Sequence, residues 1–166
     1  MSADLSIVIV NWKSRIFLQD CLKSIGESET RLRLELVVID NASFDTTALE
    51  VPRNLIRFGF LQSKVNLGFS GANNVAAGLC HGKAILFLNP DTKVLHGALD
   101  AMFRVLTGMP RAGAAGCRLL NSDRSLQTSC VLPFPNLLNL LLDLRVHGEC
   151  EPRKRLDRCR LIDVRA

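Results

Sequence analysis

The chain has 166 residues, which allows one domain of ordinary size. Apolar residues make up 48% and charged residues 22%, and this balance excludes disordered tails, collagen-like fibres and disulfide-rich miniproteins. The net charge of +5 is a mild excess, and the basic residues are not interleaved with aromatic ones, so we expect no nucleic-acid partner.

The six cysteines form no CxxC pair, and the first apolar run, Leu5–Val10, is too short for a secretory signal. We therefore expect reduced thiols in a cytoplasmic protein. No uninterrupted apolar stretch has the length of a membrane-spanning helix. Contact with the inner face of the cell membrane is kept open as an alternative.

The chain begins with a strand, a helix and a second strand. Leu5–Val10 and Leu34–Ile39 are continuous runs of branched apolar residues, typical of strands that are buried on both faces. Between them, Ser14 is a candidate N-cap for a helix that reaches about Ile25. Five apolar residues at helical spacing are expected to form its buried side: Ile16, Phe17, Cys21, Leu22 and Ile25.

The next segment predicts a short helix, a strand and a longer helix. Ser43 resembles the N-cap of the short helix, with Asp45 in its first turn. Leu55–Leu61 predicts a third strand, interrupted at Gly59. A turn-rich stretch then opens into a helix over about 72–79.

The following segment predicts a strand at Ala84–Leu88 and a helix over about 97–106. Two further strands, Ala114–Leu120 and Ser125–Ser129, predict a hairpin. The alternation of apolar strands and helices predicts an α/β fold with a mostly parallel, Rossmann-like sheet flanked by helices.

The character of the sequence changes after Pro133, where leucine-rich and then basic residues follow. We therefore place a compact core at 1–135 and a divergent tail at 136–166.

Polar residues follow three of the predicted strands at their carboxyl ends. These are Asn11-Trp12, Asp40-Asn41 and Asn89-Pro90-Asp91. In open parallel sheets, ligands bind beyond the carboxyl ends of the strands. The three groups are therefore expected to meet in one crevice.

Common nucleotide motifs are absent from this edge. The first strand–helix turn, Asn11–Ser14, has no glycine, which disfavours a Rossmann oxidoreductase. Gly82-Lys83 precedes a strand instead of a helix, so it is not a P-loop. No GxSxG motif indicates a serine hydrolase.

The residue types at the edge fit a charged, base-carrying ligand. Trp12 can stack on a base, and Asp40 or Asn41 can hydrogen-bond its polar edge. Asp91 can give one hard oxygen to Mg²⁺ or Mn²⁺ beside a diphosphate. The alternatives are a core position for Trp12, a turn role for Asp91 and a helix-cap role for Asp40–Ser43.

Five segments in this order resemble the family 2 glycosyltransferases of the GT-A fold, most closely their bacterial rhamnosyltransferase-like branch. The resemblance runs from Leu5 to about Pro135. The segments are SIVIVNW (Ser6–Trp12), ELVVIDNAS (Glu35–Ser43) with Asp45, NLGFSGANN (Asn66–Asn74), ILFLNPDT (Ile85–Thr92) and GCRLLNSDRSLQTS (Gly116–Ser129).

The resemblance implies that a nucleotide sugar binds across the strand ends. Asn11 and Trp12, with Asp40 and Asn41, would meet its base and ribose. This pairing would bring together residues that are about thirty positions apart in the chain.

The resemblance also implies a site for the sugar and the diphosphate. Asn66, Gly68 and Asn73 would lie near the sugar. Asn89 and Asp91 occupy the place of the family's DxD motif, so Asp91 is the expected anchor for Mg²⁺ or Mn²⁺. The first acid of that motif is an asparagine here.

The implied activity is the transfer of a sugar, with dTDP-rhamnose or a UDP-sugar as donor, to a glycan or lipid-linked saccharide in cell-envelope polysaccharide synthesis. The family's general base belongs to an acidic segment downstream. Beyond Gln127 this chain has only isolated acids, so no catalytic residue is assigned. The alternative is a truncated, non-catalytic relative that binds nucleotide sugars.

Overall fold

A sheet of four parallel strands forms the centre of the structure. The strands are β1 (Leu5–Asn11), β2 (Leu34–Asn41), β3 (Leu55–Ser63) and β4 (Ala84–Leu88). Their order across the sheet is β3-β2-β1-β4, and all three pairings are parallel. The predicted α/β fold with a parallel sheet is therefore confirmed.

The structure is a computed structural model that describes residues 2–45, 49–127 and 163–164. Two compact units divide the chain, Met1–Phe103 and Arg104–Ala166. The boundary predicted near residue 135 lies outside the described residues, as does the leucine-rich and basic tail. Within the described part, none of the helices has the length and hydropathy needed to cross a bilayer.

Three helices accompany the sheet: α1 (Arg15–Gly26), α2 (Gly68–Ala77) and α3 (Ala98–Gly108). Every residue of β1 and β2 is buried, because these strands are covered on both faces. One face packs against α1 and the start of α3, through Leu18, Leu22, Ile25 and Leu99. The other face packs against α2, through Ala72 and Ala76.

Helix α1 differs from its prediction in its first turn. Ile16 and Phe17 are 78% and 58% exposed, and the buried stripe starts only at Leu18. The first turn lies at the carboxyl edge of the sheet, ahead of the strand side chains that cover the later turns. Ser14 occupies the N-cap position, but its hydroxyl donates to Asn11 Oδ1 at 2.8 Å instead of capping the helix.

The short helix predicted after Ser43 is not seen in the described residues 43–45 and 49–51. The Ser43 hydroxyl lies within hydrogen-bond distance of the Asp40 carboxylate and of Asp45 Oδ1, and its single proton can be donated to either. Because the hydroxyl is committed to these side chains, it does not cap a helix.

The third strand and the second helix differ from their predicted bounds. β3 continues through Gly59 without interruption. Its one irregularity in pairing lies at the start of the strand, opposite Leu34 and Glu35 of β2. α2 begins at Gly68, four residues earlier than predicted, where Gly68 takes a positive φ of 71°. Asn73 therefore lies inside the helix instead of at its start.

The predicted hairpin beyond residue 114 is much reduced. β5 (Gly116–Cys117) pairs in parallel with β6 (Asp163–Val164). A single antiparallel bridge joins Leu120 and Leu126. The end of the second predicted strand, at 128–129, lies outside the described residues.

A buried carboxylate ties the amino-terminal ends of the strands together. Glu35 Oε2 accepts hydrogen bonds from Ser6 Oγ at 2.5 Å and from the His81 main chain at 2.7 Å. Arg57 Nε lies 3.7 Å from the other oxygen. The Gly82 amide donates to Ser6 Oγ at 2.8 Å. A Cβ at position 82 would stand 2.6 Å from the Ser6 main-chain nitrogen, so this approach requires glycine.

The charge state of Glu35 follows from these contacts. Burial raises the pKa of this carboxyl, but the hydrogen bonds from Ser6 and His81 outweigh burial and hold the pKa below its ordinary value. The ionised carboxylate is therefore the form that the fold stabilises.

We expect Glu35→Gln to lower the free energy of unfolding by about 2 kcal/mol at neutral pH. The uncharged amide oxygen accepts the bonds from Ser6 and His81 more weakly than the carboxylate does, and the amide nitrogen then lies beside Arg57. Since the folded pKa is depressed, the contribution of Glu35 is present above its unfolded pKa of about 4.3 and is lost as the pH falls through the folded pKa. The difference between wild type and variant should therefore narrow in acid.

Urea unfolding between pH 7 and pH 3 measures this difference. Glu27→Gln is the control. Glu27 is 67% exposed and forms a long, solvent-exposed ion pair with Lys23 at 3.9 Å, so its loss should change the free energy of unfolding little. A constant gap between Glu35→Gln and wild type across this pH range would contradict the assignment.

Candidate functional site

A crevice of about 700 Å³ opens at the carboxyl ends of the strands. Six residues that the sequence singled out line it: Trp12, Asn41, Asn66, Gly68, Asn89 and Asp91. These residues come from the ends of β1, β2 and β4 and from the segment where α2 begins. The chain therefore folds four distant segments into one wall.

Three other predicted residues do not line the crevice. Asn11 and Asp40 are fully buried, and Asn73 is 8% exposed. Asn73 Nδ2 donates to the Phe69 carbonyl at 2.9 Å, one turn earlier in α2. These three side chains do not face the crevice but form hydrogen bonds with other residues of the protein.

Sequence reasoning missed part of the apolar wall. Phe17 and Phe69 line the crevice and are 58% and 64% exposed. Helical spacing predicts that Phe17 lies on the buried side of α1, and the sequence predicts no role for Phe69. Both lie in the first turn of a helix that follows a strand end, and that position was the available signal. Val10, Ser14 and Pro90 complete the lining.

Trp12 stands at the mouth of the crevice with 54% of its surface exposed. Trp12 directly follows Asn11, the buried last residue of β1, and it is the first exposed side chain after that strand. Lys13 Nζ lies 5.5 Å from the Trp12 ring centroid, a cation–π distance. The predicted alternative of a core position for Trp12 is not what the structure shows.

The Asp40 carboxylate is occupied by donors from three segments of the chain. Oδ1 accepts from Asn11 Nδ2 at 3.0 Å and from the Ser43 hydroxyl. Oδ2 accepts from the Phe44 main chain and from Gln62 Nε2, each at 2.7 Å. Asp40 is therefore not free to contact the base of a ligand, which differs from the expectation.

The same contacts set the charge of Asp40. Burial raises the pKa of this carboxyl, but donors from Ser43, Gln62 and Asn11 and the Phe44 amide outweigh it and hold the pKa below its ordinary value. Gln62 was not recognised from the sequence, because it lies on β3 and only the strand pairing brings it to Asp40.

Asn11 joins the loops that follow β1 and β2. Besides Asp40, its amide nitrogen lies 2.8 Å from Asp45 Oδ1 and 3.1 Å from Ser43 Oγ. Its oxygen accepts the Ser14 hydroxyl. The position of the neighbouring Trp12 therefore depends on a network that is anchored in the sheet.

Both loops contain residues with left-handed backbone angles. The φ values of Lys13, Ala42 and Phe44 are 52°, 65° and 57°. For residues other than glycine this conformation costs on the order of 1 kcal/mol each. The hydrogen bond from the Phe44 main-chain amide to the Asp40 carboxylate is one of the contacts that hold the second loop in this conformation.

Asn41 holds the segment that leads into α2. Its oxygen accepts the Leu67 amide at 2.8 Å, and its nitrogen donates to Asn66 Oδ1 at 2.9 Å. Asn66 Oδ1 also accepts the Gly68 amide at 2.8 Å. These contacts direct the start of α2 into the crevice.

The start of α2 offers main-chain donors to the crevice. The N-cap residue Leu67 makes no side-chain hydrogen bond to the helix, Asn66 accepts one helix amide, that of Gly68, and the first turn holds no acidic residue. The first amides of a helix lack internal partners and carry a partial positive charge. This end of α2 therefore favours an anion.

Among the described residues that line the crevice, Asp91 is the single acid. It is exposed, and among the described residues it forms no hydrogen bond or ion pair. The described residues contain no cluster of three or more metal-ligating side chains. One free carboxylate still fits Mg²⁺ or Mn²⁺ when phosphate and water oxygens complete the shell. Burial, and after it the charge of Asp91, raises the pKa of the Cys21 thiol to about 12, so that thiol is unreactive.

We expect Asp40→Ala to lower the free energy of unfolding by about 3 kcal/mol, because four donors lose their acceptor. Chemical denaturation measures the loss, and amide exchange at Phe44 reports the loop. The matched control is Asp20→Ala, an exposed acid 3.9 Å from Lys93, which should stay within about 0.5 kcal/mol. An equal effect of both variants would reject the network as the loop's anchor.

Comparisons with known proteins show which proteins this chain is similar to. The family model described as Glycosyl transferase family 2 matches residues 6–147. A Mycobacterium tuberculosis (strain CDC 1551 / Oshkosh) protein, "Uncharacterized protein MT1568", is 29% identical over 102 residues. That match covers 60% of this chain and 31% of the M. tuberculosis protein.

Solved structures with the same fold include TarS from S. aureus. The crystal structure of TarS 1-349 is 20% identical with a TM-score of 0.62, and the match covers 80% of this chain and 38% of that one. TarS 1-349 in complex with UDP-GlcNAc gives 18% and 0.63, covering 75% and 37%. The chain thus spans less than two fifths of these relatives, and the likeness shows the fold.

Proposed function

The chain belongs to glycosyl transferase family 2, and on that basis we propose that its crevice binds a nucleoside diphosphate sugar and that the protein transfers the sugar. One observation carries the proposal. An exposed tryptophan, a helix start without an acidic residue and a carboxylate with no partner among the described residues share one crevice. These groups match the base, the phosphates and the counter-cation of such a donor.

Each part of the crevice has a role in this proposal. Trp12 stacks on the base, with Phe17 and Phe69 as further apolar wall. The first-turn amides of α2 face the phosphates. Asp91, with Asn89 beside it, holds a divalent cation, which when bound neutralises charge on the departing diphosphate. Asn11, Asp40 and Asn73 keep these groups in place instead of touching the donor.

The donor and acceptor are a finer part of the proposal. The resemblance to the rhamnosyltransferase-like branch favours dTDP-rhamnose. In contrast, two TarS structures are complexes with UDP and with UDP-GlcNAc. UDP is therefore a suitable first probe, and dTDP-rhamnose is the first sugar donor to test. The proposed acceptor is a glycan or lipid-linked saccharide of the cell envelope, met at the inner face of the membrane.

A second candidate is a relative that binds the donor without transferring the sugar. Among the described lining residues, Asp91 is the single acid and there is no histidine. If Asp91 holds a cation, no lining residue is left to act as general base for the acceptor hydroxyl. Donor binding without hydrolysis or transfer of the sugar would favour this candidate.

We expect Trp12→Ala to weaken UDP binding by about tenfold, the effect of losing one base–aromatic stack. Isothermal titration calorimetry gives the affinity. Phe44→Ala is the matched control, because Phe44 is 63% exposed on the neighbouring loop and does not line the crevice. Equal affinities of Trp12→Ala and wild type would remove the base from this position.

We expect Asp91→Asn to remove the gain in UDP affinity that Mn²⁺ gives to the wild type, because the neutral amide is a weak ligand for hard cations. Metal-free UDP affinity should stay within about threefold of the wild type, since no contact with the base changes. Asp20→Asn, an exposed acid on α1, is the control. A full Mn²⁺ gain in Asp91→Asn would show that the cation binds elsewhere.

A further inference from the structure

Helix α1 holds both ends of the loop that carries Asp91. At one end, the Val94 amide donates to Ser24 Oγ at 2.9 Å. At the other end, the Asn89 carbonyl lies 3.9 Å from Cys21 Sγ, on the same side of α1. Within the loop, the Thr92 amide donates to the Asn89 carbonyl at 3.2 Å. The segment 89–94 is therefore attached to one helix at two points.

Asp91 lies between these two attachments. Among the described residues its carboxylate has no partner of its own, so its position follows from the main chain of the loop. Lys93 lies 3.9 Å from Asp20, but these side chains are 72% and 55% exposed and hold the loop weakly. The thiol contact at 3.9 Å is also weak. The Ser24 contact is then the strongest of the loop's bonds to α1.

The Ser24 hydroxyl is used in both directions. It donates to the Cys21 carbonyl at 2.7 Å, which fixes its rotamer, and its lone pair accepts the Val94 amide. Ser28 makes the same backward bond, to the Ile25 carbonyl at 2.7 Å, but accepts no loop amide among the described residues. Ser28 lies two residues beyond the end of α1, and it is therefore a control for the loss of a backward hydroxyl–carbonyl bond alone.

We propose that Ser24 is a positioning residue that sets the place of Asp91 for a divalent cation bound together with a nucleoside diphosphate. This inference rests on the proposed function, because it assigns a purpose to the geometry of the same crevice. Ser24 itself does not line the crevice. It acts through the main chain of the loop 89–94.

The test compares Ser24→Ala, Ser24→Thr and Ser28→Ala in the full chain. Amide exchange by NMR reports the Val94 bond directly. Electron paramagnetic resonance of Mn²⁺ with UDP reports the cation, and calorimetry with UDP alone reports the rest of the crevice. Together these readouts separate the loop, the cation and the base.

For Ser24→Ala we expect Val94 to exchange at least about tenfold faster and Mn²⁺ to bind about tenfold more weakly, because the amide loses its acceptor and the loop its fixed position. Metal-free UDP affinity should not change. Ser24→Thr keeps the hydroxyl and should restore both values. Ser28→Ala should leave both at wild-type values.

Two outcomes overturn the inference. Wild-type Mn²⁺ affinity in Ser24→Ala would show that the loop keeps Asp91 in place without the serine. Equal loss of metal-free UDP binding would show a general structural effect instead of positioning. A wild type that binds UDP with no gain from Mn²⁺ would instead overturn the cation site of the proposed function, and the role of Ser24 with it.

Discussion

The burial of β1 and β2 on both faces is the constraint on which the rest of the structure depends. In a strand whose side chains all contact the core, a shift of one residue would place every side chain against the wrong partner, so the register is fixed. This register sets Asn11 opposite Asp40, and the two side chains are 3.0 Å apart. The apolar core thus determines where the polar edge of the sheet begins.

The three acids that matter most are used in two different ways. Glu35 and Asp40 lie at opposite ends of β2, are buried, and accept hydrogen bonds from neighbouring segments. Their charges stabilise the fold. Asp91 lies on an exposed loop and keeps its carboxylate free among the described residues. Buried charges therefore fix the residues around the crevice, and Asp91 adds an exposed charge that has no partner among the described residues.

Strands β1, β2 and β4 were predictable because their sequences are short apolar runs, and β4 matches its prediction at both ends. Trp12, Asn41, Asn89 and Asp91 were also predictable, since strand ends in a parallel sheet share one edge. Asn66 and Gly68 were expected only from the family resemblance. The buried, hydrogen-bonded role of Asp40 was not predictable. One of its donors, Gln62, comes from another strand, and another, the Phe44 amide, reaches it only through a left-handed turn. Apolar spacing also could not show that Phe17 lies beyond the sheet.

The left-handed angle of Ala42 has a consequence for how this position varies between related sequences. Glycine there would relieve about 1 kcal/mol of backbone strain, but it would give the unfolded chain additional freedom worth about 0.4–1 kcal/mol. These effects nearly cancel, so selection for stability alone would let the position drift between alanine and glycine. A preference for alanine among homologues would then indicate selection for a rigid loop after β2.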